Sequence, residues 1–163
     1  MRYCKDFLLT DDFFVRGHVN TGSCRLTTYL NGAGRQFIEI DEALCIKRDG
    51  KCIQAPRAVL SVSEILLAHE ACEAGDAAQR SLASRAAGTT DVTIHLIARE
   101  PYEIKAKVRR STFKRDDFGP HQFIVVTEPR IQGLNGAAAF MNRFPDPLSY
   151  LIVNRDRVAL VHS

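Results

Sequence analysis

The chain has 163 residues, of which 45% are hydrophobic and 25% charged, and its net charge is +3. This composition is that of an ordinary folded protein and excludes a chain that is disordered throughout. The mild charge neither requires nor excludes an anionic partner, and no run approaches the roughly 20 apolar residues of a membrane-spanning helix, so we expect no direct insertion into a membrane.

The cysteines all lie in the first half of the chain, as Cys4, Cys24, Cys45, Cys52 and Cys72. Their odd number and the lack of a Cys-x-x-Cys pair argue against a zinc site. Aspartates flank the only early apolar run, which is not the pattern of a secretory signal. We therefore expect a cytoplasmic protein with reduced thiols. The less favoured alternative is a bridge between Cys45 and Cys52 across a hairpin. It is less favoured because disulfides are rare in the cytoplasm.

Alternating apolar and polar residues predict a series of short strands in the first half. These strands cover residues 3–9, 13–19, 37–47, 52–54, 59–62 and 65–69. Asp49-Gly50 predicts a hairpin turn between the third and the fourth strand, and Pro56 is expected to end the fourth. The stretch Leu26–Leu30 indicates either one helical turn or a covering loop.

An alanine-rich stretch, residues 70–88, separates these strands from a second series. Alanine favours helix, but Gly75 interrupts the stretch, and its apolar stripe is too thin for firm docking. We interpret it as a partly helical linker. The second series of strands covers residues 92–97, 102–108, 123–127, 150–153 and 158–161. Two loops, 109–119 and 133–147, lie between its strands.

Three segments of the first half recur in the same order in the second half. They are 13–19 (FFVRGHV) with 102–108 (YEIKAKV), 36–42 (QFIEIDE) with 122–128 (QFIVVTE), and 65–69 (ILLAH) with 158–162 (VALVH). The recurrence predicts a mainly β protein built by internal duplication. We place the two units at residues 1–69 and 89–163, joined by the linker 70–88.

A duplicated unit of about 70 residues is small enough to be only marginally stable alone. We therefore expect the two units to pack on each other or on other chains. Duplication also predicts which residues are equivalent in the two cores. Phe37 and Phe123 should both point inward, and so should Val19 and Val108.

Several short motifs carry a family resemblance. The strand 15–19 has a central glycine, Asn31 precedes the apolar and acidic segment 37–43, and residues 150–158 have the form strand, turn, strand. These features resemble the Sm-like family of small, SH3-type β-barrels. The resemblance implies two tandem small β-barrels, and the family includes RNA-binding proteins. The stretch 25–31 (RLTTYLN) is similar to a signature of an uncharacterised bacterial family, which implies no function.

The one basic cluster lies in the first long loop of the second half. It comprises Arg109, Arg110, Phe113, Lys114 and Arg115. Four cations around an aromatic ring can track a nucleic-acid backbone and stack one base. Two aspartates follow directly and weaken this positive field. We therefore interpret the cluster as a solvated loop, and keep binding of RNA or single-stranded nucleic acid as the alternative.

The second long loop contains three large apolar residues, Phe140, Met141 and Phe144, among glycine, asparagine and proline. Large apolar side chains in a solvated loop either fold back on their own protein or dock on a partner. Interface energy usually concentrates in a few large buried side chains. We predict that these three residues anchor a protein partner, and packing against the protein's own barrel is the alternative.

No combination of residues indicates catalysis or metal binding. The Gly-x-Ser-x-Gly nucleophile motif is absent, and the histidines are not spaced as metal ligands. We expect no enzymatic activity, no metal and no cofactor. The function that we predict is a non-enzymatic binding or scaffold protein, a structural subunit of a larger assembly. Its partners would be other protein subunits or further copies of itself.

Overall fold

The fold is described from a computed structural model over residues 4–72, 88–109, 121–132, 144–145 and 148–163. The strands are β1 (Cys4–Leu9), β2 (Phe13–Val19), β3 (Phe37–Lys47), β4 (Cys52–Ser61), β5 (Leu67–Cys72), β6 (Thr89–Leu96), β7 (Tyr102–Arg109), β8 (Phe123–Gln132), β9 (Tyr150–Asn154) and β10 (Val158–His162). One short helix, α1 (Leu26–Leu30), follows β2, and 3-10 turns at Val62–Glu64 and Arg155–Arg157 precede β5 and β10.

The strands form one ten-stranded sheet in the order β10-β6-β7-β8-β9-β5-β1-β2-β3-β4. Every neighbouring pair is antiparallel. The prediction of a mainly β protein is confirmed. The described strands do not form the expected pair of separate barrels. They form one continuous sheet that does not close, and the pairing of β5 with β9 joins the two halves within it. The linker predicted at 70–88 lies mostly outside the described residues.

Both halves arrange their strands in the same way. In each, the last strand lies beside the first, giving β5-β1-β2-β3-β4 and β10-β6-β7-β8-β9. The registers also agree, since Phe37 lies opposite Ser61 in the β3–β4 pair and Phe123 lies opposite Asn154 in the β8–β9 pair. One further feature recurs at matching positions: Glu42 and Glu128 both have a positive φ, of 51° and 50°.

A register shift interrupts the β2–β3 pair beside Gly17, and another interrupts the β7–β8 pair beside Ala106. At Gly17 the neighbouring strand approaches closely. A Cβ atom there would lie 2.5 Å from Cγ2 of Ile40 and 2.8 Å from the carbonyl oxygen of Asp41. Glycine is therefore needed at this bend, whereas the second half accommodates the buried methyl group of Ala106.

The central strands are buried on both faces. Alternate side chains of β1 point to opposite faces, so Phe7 and Leu9 join one hydrophobic cluster and Leu8 joins the other. In the same way β9 gives Leu151 to the first cluster and Ile152 to the second. Each cluster thus contains side chains from both halves, and the expectation that the halves pack on each other is confirmed.

Only part of the predicted core equivalence holds. Val19 and Val108 are both buried, as expected. Phe123 is also buried, with 1% of its surface exposed, but Phe37 is 59% exposed. The prediction for Phe37 is wrong because this residue lies beside the open β4 edge of the sheet, whereas Phe123 lies beside the junction of the two halves.

Other expectations also need correction. Cys4, at the start of β1 and opposite the end of β5, is disulfide-bonded, so not every thiol is reduced. Cys45 and Cys52 are both free, which excludes the bridge considered between them. β4 continues through Pro56, because an edge strand tolerates a proline that a central strand would not. Over the described ranges, the protein contains no helix with the length and apolar character needed to traverse a bilayer.

Candidate functional site

The β5–β9 junction is where one half of the sheet binds the other. Leu67 lies opposite Val153 and Ala68 opposite Ile152. The backbone N–H of Asn154 donates to the carbonyl of Leu66 at 3.0 Å, which extends the ladder beyond these pairs. Both strands present apolar side chains to both hydrophobic clusters, so main-chain hydrogen bonds and apolar burial act together at this junction.

Buried polar groups fix the junction's register. The side-chain amide of Asn154 donates to the carbonyl of Ile65 at 2.8 Å. The Tyr150 hydroxyl donates to the carbonyl of Glu70 at 2.7 Å, and Nδ1 of His69 lies 3.1 Å from the carbonyl oxygen of Tyr150. Each group would be left unsatisfied if the strands slipped by one residue, and an unpaired buried polar group is expensive. The junction therefore accepts a single alignment.

The environment of His69 keeps its ring uncharged. Burial lowers the pKa of the His69 imidazole, and the hydrogen bond to the Tyr150 carbonyl opposes this shift only in part. The neutral ring donates its Nδ1–H to that carbonyl and packs on the Tyr150 ring, with centroids 4.8 Å apart. His69 thus acts as a structural residue of the junction, and not as an exposed acid–base group.

Helix α1 covers the same junction from the first half. The Asn31 side chain at its end accepts from the backbone N–H of Phe123 at 2.8 Å and donates to the carbonyl of Phe123 at 2.9 Å. Leu26 and Leu30 of α1 share a hydrophobic cluster with Phe123. Phe123, the first residue of β8, therefore interacts with the first half of the chain in two ways. Its backbone is hydrogen-bonded to Asn31, and its ring packs with Leu26 and Leu30.

The outer edges of the sheet are β4 and β10, which pair on one side only within the described part of the chain. Val59 of β4 is 62% exposed and Leu160 of β10 is 56% exposed. Unpaired strand edges with exposed apolar side chains are templates for pairing with another chain. We call these two strands, together with Phe37 beside β4, the open edges, and they are the candidate functional site.

The sequence did not identify the open edges as a site. Val59 and Leu160 were within predicted strands, but strand pattern alone does not reveal which strand lies at an edge. The one available signal was that Val59-Leu60 and Leu160-Val161 place consecutive large apolar residues on opposite faces of their strands.

The structure places only one of the three predicted partner anchors. Phe144 is 7% exposed and packs in the first hydrophobic cluster, with its ring edge-on to Phe14 at 5.1 Å and 6.4 Å from the ring of Phe7. Phe144 is therefore buried in the core, which agrees with the alternative that the loop packs on its own protein, and its role as a partner anchor stays a prediction. Phe140 and Met141 lie outside the described residues.

Arg109 is the one member of the predicted basic cluster that the structure places. It ends β7, is exposed, and lines a groove of about 810 Å³ together with Lys107, His121 and Arg155. Nζ of Lys107 lies 2.8 Å from a carboxylate oxygen of Glu128, which offsets part of the groove's charge. The remaining members, Arg110, Phe113, Lys114 and Arg115, lie outside the described residues.

A metal ion would need several His, Cys, Asp or Glu side chains close together. Across the described ranges, no three such side chains cluster as metal ligands. Cys24, the cysteine nearest a glycine and an arginine in the sequence, is exposed in the turn before α1.

No known protein family, curated protein or solved structure matches this chain. The resemblance to Sm-like barrels stays a prediction, and function has to be argued from the geometry of the site.

Proposed function

We propose that this chain is a non-enzymatic scaffold subunit of a larger protein assembly, and that it binds neighbouring chains along its open edges. The exposure of Val59 and Leu160 on strands that pair on one side only, among the described residues, is the observation that supports this role. Burying a large aliphatic side chain is favourable by roughly 1.5–3 kcal/mol. A partner strand would pair with the outward-facing backbone groups of β4 or β10 and cover these side chains at once.

We further propose that the chain consists of two tandem units of the small Sm-like or SH3-like β type, related by duplication. The shared strand order and the matching registers support this origin. The 3-10 turns that precede β5 and β10 give further support. The backbone N–H of Val62 donates to the carbonyl of Gln36 at 2.9 Å, and that of Arg155 donates to the carbonyl of Gln122 at 2.7 Å. Val62 and Arg155 hold equivalent positions in the two halves, and so do Gln36 and Gln122.

The scaffold role is tested by the size of the complex that the protein forms in an extract of its own cells. We expect the wild-type chain to migrate well above its mass of 18.2 kDa. The double variant Val59→Lys with Leu160→Lys should migrate as a monomer, because lysine on an edge opposes strand addition. Ile97→Lys is the matched control, since Ile97 is 54% exposed but lies outside β4 and β10.

Both variants replace exposed side chains, so the melting temperatures of the purified monomers should equal that of the wild-type monomer. A wild-type chain that migrates as a free monomer in the extract would contradict the scaffold role. So would a double variant that stays in a complex of wild-type size.

Binding of RNA or single-stranded nucleic acid is the second candidate function. The groove beside Arg109 supports it, because Lys107, His121 and Arg155 place further basic side chains along the same concave surface. A positively charged groove is the usual way in which proteins track a single-stranded backbone. The groove's mild charge and the Glu128 carboxylate on Lys107 make it the weaker candidate.

Salt dependence of oligonucleotide binding tests this second function. If the basic cluster binds phosphates, replacing its cations should reduce the slope of log affinity against log salt by about 0.7 for each phosphate that is no longer neutralised. The variant replaces Arg109, Arg110, Lys114 and Arg115 by glutamine. A control variant neutralises four exposed cations elsewhere, Lys5, Arg16, Lys51 and Arg130. Equal slopes in the two variants would exclude a specific role of the cluster.

A further inference from the structure

We propose that His95 and His162 together bind a divalent transition-metal ion of the Ni²⁺, Cu²⁺ or Zn²⁺ class, with their imidazoles as the two protein ligands. The observation is a close pair of ring nitrogens, since Nε2 of His95 lies 3.2 Å from Nε2 of His162. The two residues are 67 positions apart along the chain and meet only through the fold. The site is separate from the proposed scaffold role and does not depend on it.

The pairing of β6 with β10 brings the two histidines to one face of the sheet. Leu160 lies opposite His95, and His162 lies opposite Thr93. Because side chains alternate between the faces of a strand, His95 and His162 share a face, and the buried Ile94 points the other way. The two histidines are therefore diagonal neighbours, a separation that long side chains can bridge. His162 is exposed and His95 is half-buried, so an ion can reach both rings from the solvent.

The arrangement of the rings fits two adjacent ligand positions around one ion. The ring centroids are 5.4 Å apart and the ring planes differ by 21°, whereas the Nε2 atoms are only 3.2 Å apart. The two rings therefore approach each other most closely at Nε2. With metal–nitrogen bonds of about 2.0–2.1 Å, nitrogens at this separation subtend an angle of about 100–105° at the ion. This angle lies between the values for neighbouring ligands in octahedral and in tetrahedral coordination.

The donor atoms determine the class of metal. Imidazole nitrogen is a good ligand for Ni²⁺, Cu²⁺ and Zn²⁺, whereas Mg²⁺ prefers oxygen ligands. Within the described ranges, no third His, Cys, Asp or Glu side chain joins the pair to form a larger ligand cluster. Water would complete the coordination, and we therefore expect reversible binding at an open site rather than a closed structural site.

The charges beside the pair offset each other. Glu103 of β7 lies opposite His95, and Lys105 of β7 lies opposite Thr93. Nζ of Lys105 is 3.8 Å from a carboxylate oxygen of Glu103. One negative and one positive side chain thus lie next to the site and form an ion pair with each other. The affinity for a metal ion should therefore depend mainly on the two imidazoles.

A metal ion at this site would link the last strand to the rest of the sheet. Among the described strands, β10 pairs only with β6, and each of these strands supplies one of the histidines. A ligand that binds the folded chain and not the unfolded chain stabilises the fold. We therefore expect Zn²⁺ to raise the melting temperature and to slow amide hydrogen exchange most strongly in β10.

The test uses the purified, untagged full-length chain, with Ni²⁺ and Zn²⁺ titrated by calorimetry and Mg²⁺ as the control ion. The variants are His95→Gln and His162→Gln, and the control variant is His121→Gln, which replaces an exposed histidine outside the strands. Each variant of the pair should weaken binding of Ni²⁺ and Zn²⁺ by at least about tenfold, because even the loss of an outer-shell partner of a metal ligand usually costs that much. The control variant should bind as the wild type does, and Mg²⁺ should bind to none of them.

The free thiols Cys24 and Cys52 are exposed and can also attract these ions. They are unchanged in all the variants, so the comparison between variants isolates the contribution of the histidines. Equal affinity in the wild type and in both variants of the pair would overturn the site. So would a loss of affinity in only one of the two, because one imidazole would then bind the ion without the other.

A second measurement needs no variant and therefore holds even if a substitution disturbs folding. Ni²⁺ is paramagnetic and broadens the NMR signals of nearby protons. Less than one equivalent added to the wild-type chain should broaden the ring signals of His95 and His162 before those of His18 and His121. Broadening that begins at His18 or His121, or that affects only one ring of the pair, would overturn the proposal.

Discussion

Phe123→Ala is expected to destabilise the protein by about 3–5 kcal/mol, whereas Phe37→Ala should cost less than about 1 kcal/mol. The two residues hold the same place in their halves, but only Phe123 is enclosed by the other half, beneath Leu26 and Leu30 of α1. Removing its ring empties a packed site. The measurement is urea denaturation of both purified variants beside the wild-type chain, at protein concentrations at which all three are monomeric.

The two phenylalanines are each other's control, because the substitution and the local strand sequence are nearly the same. Equal losses at both positions would mean that Phe37 is covered within the monomer, which would contradict the open β4 edge.

Phe144→Ala is expected to lower the free energy of unfolding by about 3–5 kcal/mol and to leave association between chains unchanged, as long as the protein is folded. The reason is the aromatic cluster that Phe144 forms with Phe7 and Phe14, in which its edge-to-face contact with Phe14 adds to simple burial. Ile97→Ala is the control, and this exposed residue should change stability by no more than about 0.5 kcal/mol. A Phe144 variant with an unchanged melting temperature but lost association would instead support its role as a partner anchor.

The sequence predicted the strands well because strand periodicity and recurring segments are local signals. The positions of β2, β3, β7 and β9 follow directly from the alternation of apolar residues. Phe37 and Phe123 could not be told apart, since they stand in nearly identical segments and differ only in what lies across the sheet. That difference arises from the β5–β9 pair, a contact between distant parts of the chain.

The candidate site was less predictable than the fold. An open edge is defined by the absence of a neighbouring strand, and no residue pattern states that absence. The disulfide at Cys4 was also missed, because the spacing of cysteines along a chain does not show which of them the fold brings together. At Phe144 composition left two alternatives open, docking on a partner and packing on the protein itself, and the ring enters the core.

Each hydrophobic cluster contains side chains of both halves, and this limits the order in which the chain can fold. The cluster under α1 is completed by Phe123, Tyr150 and Ile152, which are synthesised long after the helix itself. The first half therefore cannot finish its interior until β9 has left the ribosome. We expect a single cooperative folding event that waits for the synthesis of β9, although the chain contains two similar halves.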